Sequence, residues 1–405
     1  MNRLSGPAWS TEERRALRHT VRRFTEQEVL PNLDAWERSG ELPRELSKKA
    51  GSLGLLGVAH PIAAGGGGGD LIDAITVNEE MHYAGGSGGL FASLFTCGIA
   101  TPHLVAAGDP AQIARWVRPT LAGELIGALA VTEPGGGSDV ARITTTARRD
   151  GDHYVVNGAK TFITSGVRAD YVVTAVRTGG PGAAGISLLV VEKGTPGFTV
   201  SRRLEKLGWL CSDTAELAFQ DARVPVENLV GAPDSGFFQL AEHFLSERVA
   251  LAAQAYSHAQ RCLDLAVEWT RNRETFGKPL IGRQLVQNTL TEMARKIDVA
   301  RTYTHALVDR SVAQDRPDAS DPSDGSGVPG ASGADLIAEV CFAKNTAVET
   351  AEWVATQALQ LFGGLGYMRE SEVERHYRDV RILGIGGGAT EVMTGLAARV
   401  LGFRS

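Results

Sequence analysis

Glu247 has the most informative surroundings of the carboxylates in this sequence. It lies three residues after Phe244 and four before Leu251, so its neighbours on one face of a helix are apolar. A carboxyl group among apolar side chains has a raised pKa, which suits a base that abstracts a proton near neutral pH. Arg248 follows it directly, and a Glu-Arg step is more often a solvated ion pair. Periodicity alone leaves both interpretations open and favours the solvated pair.

Two segments in the central part of the chain could bind a flat polar ring or a pyrophosphate. In 131–139 (VTEPGGGSD), glycines next to Thr and Ser leave bare amides and hydroxyls for a ligand. Phe162 and Thr164 are two residues apart, which on a strand places an aromatic ring and a hydroxyl on the same face. Taken alone, a plain loop and a core Phe beside a solvated Thr are the more common explanations.

Residues at two predicted helix ends could also contact a phosphate group. Arg273 lies at the end of one long helical segment, and 360–366 (QLFGGLG) ends another in a glycine-rich turn. Taken alone, these are a solvated charge and an ordinary helix stop. The sequence has no Rossmann or Walker A spacing, no nucleophile motif and no metal-ligand spacing, so we predict no metal site.

Hydrophobic periodicity changes twice along the chain. We predict an α+β multidomain fold, with an N-terminal helical domain (1–124), a middle antiparallel β domain (125–234) and a C-terminal helical bundle of the four-helix type (235–405). Asn157-Gly158 lies between two β-rich runs and predicts the turn of a hairpin. The segment 314–333 is rich in Asp, Pro, Ser and Gly, which predicts a mobile surface loop.

Composition limits the classes of function. The chain has 405 residues, 43% of them hydrophobic, and a net charge of −6, which indicates a globular protein and argues against nucleic-acid binding. No apolar run approaches the ~20 residues that span a bilayer, so we expect no membrane span. The glycine run at 65–69 indicates either a flexible loop or a close approach of the backbone to a ligand, and a flexible loop is the more common case. The cysteines are widely spaced, which predicts reduced thiols in a cytoplasmic protein: Cys97, Cys211, Cys262 and Cys341.

Five segments taken together resemble the acyl-CoA dehydrogenase family, from about Ser10 to Arg399 and in the family's order. Each is weak alone, but five in register are a strong resemblance. They are 131–139 (VTEPGGGSD), 158–165 (GAKTFITS), 271–277 (RNRETFG), 360–366 (QLFGGLG) and 378–391 (RDVRILGIGGGATE).

The resemblance implies a flavoprotein oxidoreductase of fatty acid metabolism and β-oxidation that binds FAD. Such an enzyme removes the α-proton of an acyl-CoA thioester while the β-hydride passes to flavin N5, which yields the trans-2-enoyl-CoA. It further implies an electron-transfer flavoprotein as the electron acceptor and a homotetramer, or a dimer, in which FAD also contacts a neighbouring subunit.

The resemblance also implies site residues. Arg273, Phe276 and Gln284 correspond to contacts with the FAD of a neighbouring subunit, and Phe162 stands where a Trp is usual. The full set of implied FAD-binding residues is Leu129, Val131, Thr132, Gly137, Ser138, Phe162, Ile163, Thr164, Arg273, Thr275, Phe276, Gln284, Gln360, Leu361, Phe362, Gly363, Gly364, Ala389, Thr390 and Glu391. The implied substrate-binding residues are Ser138, Phe244, Arg248, Gly387 and Gly388.

One departure from the family pattern bears on the catalytic base. Many members carry the catalytic Glu in a Tyr-Glu-Gly-Thr-like stretch, and Gly387 stands at that position here. The isovaleryl and long-chain branches instead place the Glu on a helix before an Arg, as in Ser246-Glu247-Arg248. The resemblance therefore implies Glu247 as the α-proton base and a branched or medium- to long-chain substrate.

Three alternatives remain open at this stage. The first is a flavin oxidase or monooxygenase of the same fold, against which the intact Glu247 argues. The second is a dehydrogenase that acts on acyl-carrier-protein thioesters. The third is a non-catalytic partner subunit, against which the complete flavin segments argue.

Overall fold

In the computed structural model of the chain, residues 6–314 and 333–403 are described. They form two compact units. The bundle unit comprises the residues up to Leu30, Asp70–Gly88 and the residues from Leu245 onward, and the sheet unit comprises Pro31–Gly69 and Gly89–Phe244. The predicted loop 314–333 lies outside the described residues except for its two ends. The domain boundaries at 124/125 and 234/235 stay predictions.

The helices and strands follow the predicted order of helical, β and helical segments. The helices are α1 (Glu12–Phe24), α2 (Leu30–Ser39), α3 (Arg44–Ser52), α4 (Leu71–Tyr83), α5 (Gly88–Leu94), α6 (Cys97–Ala107), α7 (Pro110–Gln112), α8 (Arg118–Leu121), α9 (Gly236–Asn272), α10 (Gln284–Gln314), α11 (Gly333–Phe362), α12 (Glu372–Val380) and α13 (Thr390–Val400). The strands are β1 (Gly127–Ala130), β2 (Thr146–Asp150), β3 (His153–Thr164), β4 (Tyr171–Arg177), β5 (Ile186–Glu192), β6 (Phe198–Arg203), β7 (Thr214–Pro225), β8 (Leu229–Val230), β9 (Glu274–Thr275) and β10 (Lys278–Pro279).

Long helices with narrow apolar stripes build the bundle unit. On α9, the buried residues Val249, Ala252, Tyr256, Ala259 and Leu263 recur every three or four positions. Helix α11 packs against α10, α12 and α13. This stripe defines the buried face of α9.

The sheet unit contains one large mixed sheet. Its order is β6-β7-β3-β2-β4-β5-β8, with β1 paired to β4. The predicted antiparallel arrangement holds for most pairs, but β1–β4 and β2–β4 are parallel. The chain forms the β2–β3 hairpin after β1 and then enters β4 in the direction of β1, so the β1–β4 pair is parallel. Strand β1 thus ends where the segment 131–139 begins.

The predicted hairpin turn at Asn157-Gly158 is wrong. Strand β3 runs unbroken through both residues, and the turn between β2 and β3 lies at Gly151 instead. Gly158 has a φ of +147° at a bulge in the pairing with β7. A Cβ at Gly158 would lie 2.5 Å from Thr145 Oγ1, so the glycine serves a bulge and a close backbone approach.

The expectation that no apolar run approaches the length of a membrane span is wrong, because Gly88–Ala107 is long and apolar enough to cross a membrane by length and composition. In the structure it forms α5 and α6, interrupted at residues 95–96, and half of it is buried inside the protein. Ala100 and Leu104 of α6 belong to the same buried cluster as Tyr171 of β4. Such burial is typical of a core helix of a globular protein.

Candidate active site

Glu247 lies on α9 in the bundle unit and is partly buried. Within the described part of the chain, no hydrogen bond or ion pair engages its carboxylate. Burial raises the pKa of this carboxyl above its ordinary value, and the charges of Arg248 and Lys344 oppose that rise. The solvated Glu-Arg pair that the sequence alone favours is therefore not formed, and the carboxylate is poised to accept a proton.

Gly387 lies directly opposite Glu247. A Cβ built on Gly387 would lie 3.6 Å from Glu247 Oε1 and 2.2 Å from Leu251 Cδ1. Gly387 also has a φ of +62°, a conformation that favours glycine. The two positions at which the family places its base therefore adjoin within one unit, as the resemblance implies.

Two cations, one partly and one fully buried, hold the glycine loop that contains Gly387. Arg248 Nε donates to the Gly387 carbonyl over 3.2 Å, and Lys344 Nζ donates to the Gly388 carbonyl. Sequence reasoning named Arg248 but missed Lys344. The available signal was a lysine in the apolar stripe of α11, between the buried residues Cys341 and Val348.

In the sheet unit, a buried ion pair fixes the segment that carries Thr132. Lys160 Nζ donates to the Glu133 carboxylate over 2.9 Å and to the Val131 carbonyl over 3.0 Å. Glu133 also accepts hydrogen bonds from the backbone amides of Thr144 and Thr145. This network holds the turn after β1 in one conformation, and the sequence analysis missed both of its charged members.

Burial and pairing act in opposite directions on this pair. Burial raises the pKa of Glu133, but the hydrogen bond from Thr145 and the charge of Lys160 outweigh it and bring the pKa to about 2. Burial lowers the pKa of Lys160 to about 8 against the attraction of Glu133. Glu133 is thus a permanent anion that orients the segment, and it is not a candidate base.

Phe162 stands out on the same unit as an exposed aromatic residue. Its side chain is 68% exposed, its φ is +60°, and it lies at a bulge between Lys160 and Ile163. Ile163 points into the core while Thr164 is partly exposed. An exposed aromatic ring on a strained backbone is a common feature of ligand sites.

At the end of α9, the bundle unit presents a second cluster. Phe276 forms the tip of the β9–β10 hairpin with a φ of +53° and a side chain that is 97% exposed. The Arg283 guanidinium lies 5.5 Å over its ring and donates to the Thr275 carbonyl over 2.7 Å. Gln284 begins α10 beside it. Arg283 is a further positively charged group that the sequence analysis did not name.

Trp269 joins this cluster to the end of α11. Its Nε1 donates to the Leu361 carbonyl over 3.1 Å, and its ring stacks on Phe362 at 4.9 Å. The Arg273 guanidinium lies 5.9 Å over the same ring. Two stretches that are almost ninety residues apart in sequence, both implied to bind one FAD, therefore meet within the bundle unit.

The remaining implied site residues lie at element ends or on partly exposed faces. Leu129, Val131 and Phe244 are partly buried against the sheet-unit core. Gly137 and Ser138 lie exposed in the turn after β1, and Gln360, Gly363 and Gly364 are exposed at the end of α11. Ala389, Thr390 and Glu391 form the N-terminal end of α13. The roles of all these residues stay predictions.

Comparison with known proteins identifies the family. Family models of the acyl-CoA dehydrogenase N-terminal, middle and C-terminal domains match residues 11–124, 128–222 and 234–402. The chain belongs to the acyl-CoA dehydrogenase family. It is therefore an oxidoreductase, as the resemblance implies.

Individual relatives resemble nearly the whole chain. The mitochondrial long-chain specific acyl-CoA dehydrogenase of Sus scrofa is 36% identical over 392 residues, which cover 96% of this chain and 86% of that protein. A solved structure attributed to an acyl-CoA dehydrogenase of Mycobacterium smegmatis is 64% identical with a TM-score of 0.93 and covers 98% of this chain and 100% of that chain. A glutaryl-CoA dehydrogenase from Mycobacterium smegmatis in complex with FADH2 is 26% identical with a TM-score of 0.85 and covers 98% of this chain and 96% of that chain.

FAD is the cofactor of this acyl-CoA dehydrogenase, and residues of each unit fit it. In the sheet unit, the exposed Phe162 ring and the hydroxyls of Thr132 and Ser138 suit a flat ring with polar edges. In the bundle unit, a Cβ on Gly363 or Gly364 would have no neighbour within 4 Å, so bare backbone is accessible there. Bare amides and the nearby Arg273 suit a pyrophosphate.

Proposed function

We propose that this enzyme dehydrogenates an acyl-CoA thioester to the trans-2-enoyl-CoA with Glu247 as the α-proton base. The observation that carries the proposal is the Glu247 carboxylate opposite Gly387, which burial shields and which no hydrogen bond from the described residues engages. A base of this kind abstracts a proton from carbon well because its raised pKa narrows the gap to the weakly acidic α-position.

The chain's own residues divide the work of the reaction. Glu247 takes the α-proton and becomes neutral, which a partly buried carboxyl tolerates well. When bound, FAD accepts the hydride that leaves the β-carbon. The Glu133–Lys160 pair keeps Thr132 in place for a hydrogen bond to the cofactor, and the Arg248 and Lys344 contacts keep the glycine loop beside Glu247.

We propose branched or medium- to long-chain acyl groups as substrates. The placement of the base on α9 supports this class, because the resemblance links that placement to the isovaleryl and long-chain branches. The 36% identity to the long-chain specific enzyme of Sus scrofa points in the same direction.

The proposed partners are those that the family resemblance implies. An electron-transfer flavoprotein would take the electrons, and a homotetramer or dimer would complete each FAD site. Support for assembly comes from two apolar side chains that are largely exposed, Phe276 at 97% and Leu285 at 78%. We place the enzyme in the cytoplasm, supported by four buried cysteines that are all free.

Anaerobic mixing of the FAD-loaded enzyme with a panel of thioesters tests the proposal. Butyryl-, octanoyl-, palmitoyl- and isovaleryl-CoA, together with octanoyl-carrier protein, should be ranked by the rate of flavin bleaching and by enoyl product in mass spectrometry. We expect bleaching by the longer or branched CoA thioesters. Bleaching by the carrier-protein thioester alone, or oxygen uptake without enoyl product, would favour one of the alternatives.

A further inference from the structure

Lys344 is a fully buried lysine beside the proposed base. Its side chain has 0% exposure on α11, between apolar residues of the bundle core. Burial, together with the charge of Arg248, lowers its pKa to about 8, while Glu247 and Cys341 oppose that shift. A buried ammonium group is costly unless a carboxylate or a dipole compensates it. In the described residues no carboxylate lies within ion-pair distance of Nζ, and the Gly388 carbonyl is the hydrogen-bond acceptor.

Lys344 acts on the same loop as Arg248. Gly387 and Gly388 are consecutive, and each carbonyl accepts a hydrogen bond from one of these two cations. The face of Gly387 that would carry a Cβ points at Glu247 Oε1. The charged or titratable groups that interact with Lys344 are Glu247 and Arg248 on α9 and Cys341 on its own helix. Glu247 is the anion of this set, because burial raises the pKa of the Cys341 thiol.

We propose that Lys344 is a positioning residue for Glu247, whose carboxylate form it stabilises with its positive charge while it holds the glycine loop beside that carboxylate. The inference rests on the function proposed above. Burial alone favours a protonated Glu247, and a protonated carboxyl cannot accept the α-proton. A second cation besides Arg248 keeps the base ionised in a water-poor site, which widens the acid end of the working pH range.

A purely structural role for Lys344 makes a different prediction. If the lysine only fastened the loop, its replacement would slow the reaction equally at every pH. If its charge sustains the carboxylate, its replacement moves the pH at which the base becomes protonated. The pH at half-maximal rate on the acid side therefore separates the two roles.

The test measures proton abstraction without hydride transfer. The probe is 3,3-dimethylbutanoyl-CoA deuterated at the α-carbon, whose β-carbon carries no hydrogen and cannot be oxidised. Glu247 removes the deuteron, exchanges it with water and returns a proton, so mass spectrometry follows the loss of deuterium from pH 5 to pH 9. Flavin bleaching by an oxidisable acyl-CoA is measured over the same range.

Three variants separate charge from loop attachment. Lys344→Gln removes the charge but keeps a hydrogen-bond donor, and Lys344→Met serves in its place if the Gln variant fails to fold. Lys344→Arg keeps the charge. Asn345→Leu is the matched control, because Asn345 Nδ2 donates to the Thr390 carbonyl over 3.1 Å on the same helix and next to the same loop without carrying charge.

We expect Lys344→Gln to move the acid limb of deuterium loss to higher pH by about one unit, the size typical of a nearby opposite charge. Lys344→Arg should keep the parent's acid limb, and Asn345→Leu should lower rates without moving it. A folded Gln or Met variant with the parent's acid limb overturns the proposal. If Glu247→Gln exchanges deuterium as fast as the parent, the base assignment itself fails, which is a separate result.

Discussion

At the scale of single residues, the contacts of a buried carboxylate decide whether it can act as a base. Glu372 forms two hydrogen bonds with Arg261, at 2.7 and 2.8 Å, and these hold its pKa far below the ordinary range despite burial. Glu133 is likewise an anchored anion with a pKa of about 2. Glu247 has no such partners among the described residues, and burial raises its pKa. Of these three carboxylates, Glu247 is the one whose pKa is raised, which suits it to accept a proton.

Glu247→Gln should abolish proton abstraction and leave the fold intact. Glutamine keeps the size of the side chain but cannot accept the α-proton, and loss of a general base typically costs about 10²–10⁴-fold in rate. On stopped-flow mixing with a good acyl-CoA, the flavin of the parent should bleach while the flavin of the variant stays oxidised over the same time. Glu242→Gln, an exposed substitution on the same helix, is the matched control and should bleach like the parent. Rapid bleaching by Glu247→Gln would remove Glu247 from the mechanism.

A base moved to position 387 should recover part of this loss. Gly387→Glu in the Glu247→Gln background brings a carboxylate to the adjoining position, but the added Cβ lies 2.2 Å from Leu251 Cδ1 and the φ of +62° strains any side chain. Such strain costs about 1–3 kcal/mol. A further Leu251→Ala should therefore raise the recovered bleaching rate above that of the double variant. Equal rates with and without Leu251→Ala would show that the steric argument is wrong.

At the scale of elements, hydrophobic periodicity predicted those features of the fold that depend on residues close in sequence. The apolar stripe of α9 and the order of helical and β segments are confirmed because burial repeats every few residues. The hairpin at Asn157-Gly158 failed because an Asn-Gly pair also serves a bulge, and only the contact with Thr145 distinguishes the two. The glycine run at 65–69 was predicted to be a flexible loop, yet Gly67 and Gly69 donate backbone hydrogen bonds to Gly57 and Val58.

Some of the candidate site could be predicted, and the rest depends on distant pairs. Glu247 and Gly387 were found because the family places its base at one of these two positions, so a glycine at 387 points to the glutamate at 247. Lys160 and Lys344 were not found, because their partners lie 27 and 44 residues away in sequence. The sequence around a lysine in an apolar stripe does not show which carbonyl or carboxylate will compensate its charge.

Lys160→Met should destabilise the sheet unit and loosen the flavin segment together. The change leaves Glu133 buried without its cation, and breaking a buried pair in this way costs about 3–5 kcal/mol. Urea unfolding and the FAD retained on gel filtration should both fall, and Glu133→Gln with Lys160→Met should recover part of the stability. Arg202→Met, which breaks the exposed Arg202–Glu216 pair on the same sheet, should change neither quantity appreciably. An unchanged unfolding midpoint for Lys160→Met would contradict the proposed role of the pair.

At the scale of the whole molecule, three buried histidines make the stability of the bundle unit depend on pH. His376 Nε2 donates to Glu372 over 3.2 Å, which leaves its Nδ1 to accept from His258 Nδ1 over 2.8 Å. His82 Nδ1 donates to the Asn78 carbonyl over 2.7 Å. Burial lowers the pKa of all three, to about 4 for His82, and the nearby Arg375 further lowers those of His258 and His376. These imidazoles are therefore neutral in the folded protein.

The enzyme should lose stability as the pH falls below about 6.5. A histidine whose folded pKa is depressed contributes stability above its unfolded pKa of 6.5, and that contribution is lost as the pH falls toward the folded value of about 4. For His82 the loss between pH 7 and pH 5 is about 2 kcal/mol. Urea unfolding with excess FAD at both pH values measures it. His82→Asn keeps a donor for the Asn78 carbonyl and should shrink the pH difference by that amount, whereas an unchanged difference would exclude His82 as a source.

Flavin retention and oligomeric state should fall together when Arg273 is removed. Arg273 lies in a cluster with Phe276 and the end of α11. The Phe276 side chain is 97% exposed, as expected for a residue that completes a site on another subunit. Arg273→Ala should therefore yield an enzyme with less bound FAD and a smaller assembly, read by absorbance and by light scattering after gel filtration. Arg271→Ala removes the same charge from an exposed position two residues earlier, in the last turn of α9, and should leave both readings at the parent's values. A monomeric Arg273→Ala variant that still holds a full complement of FAD would show that each chain completes its own flavin site.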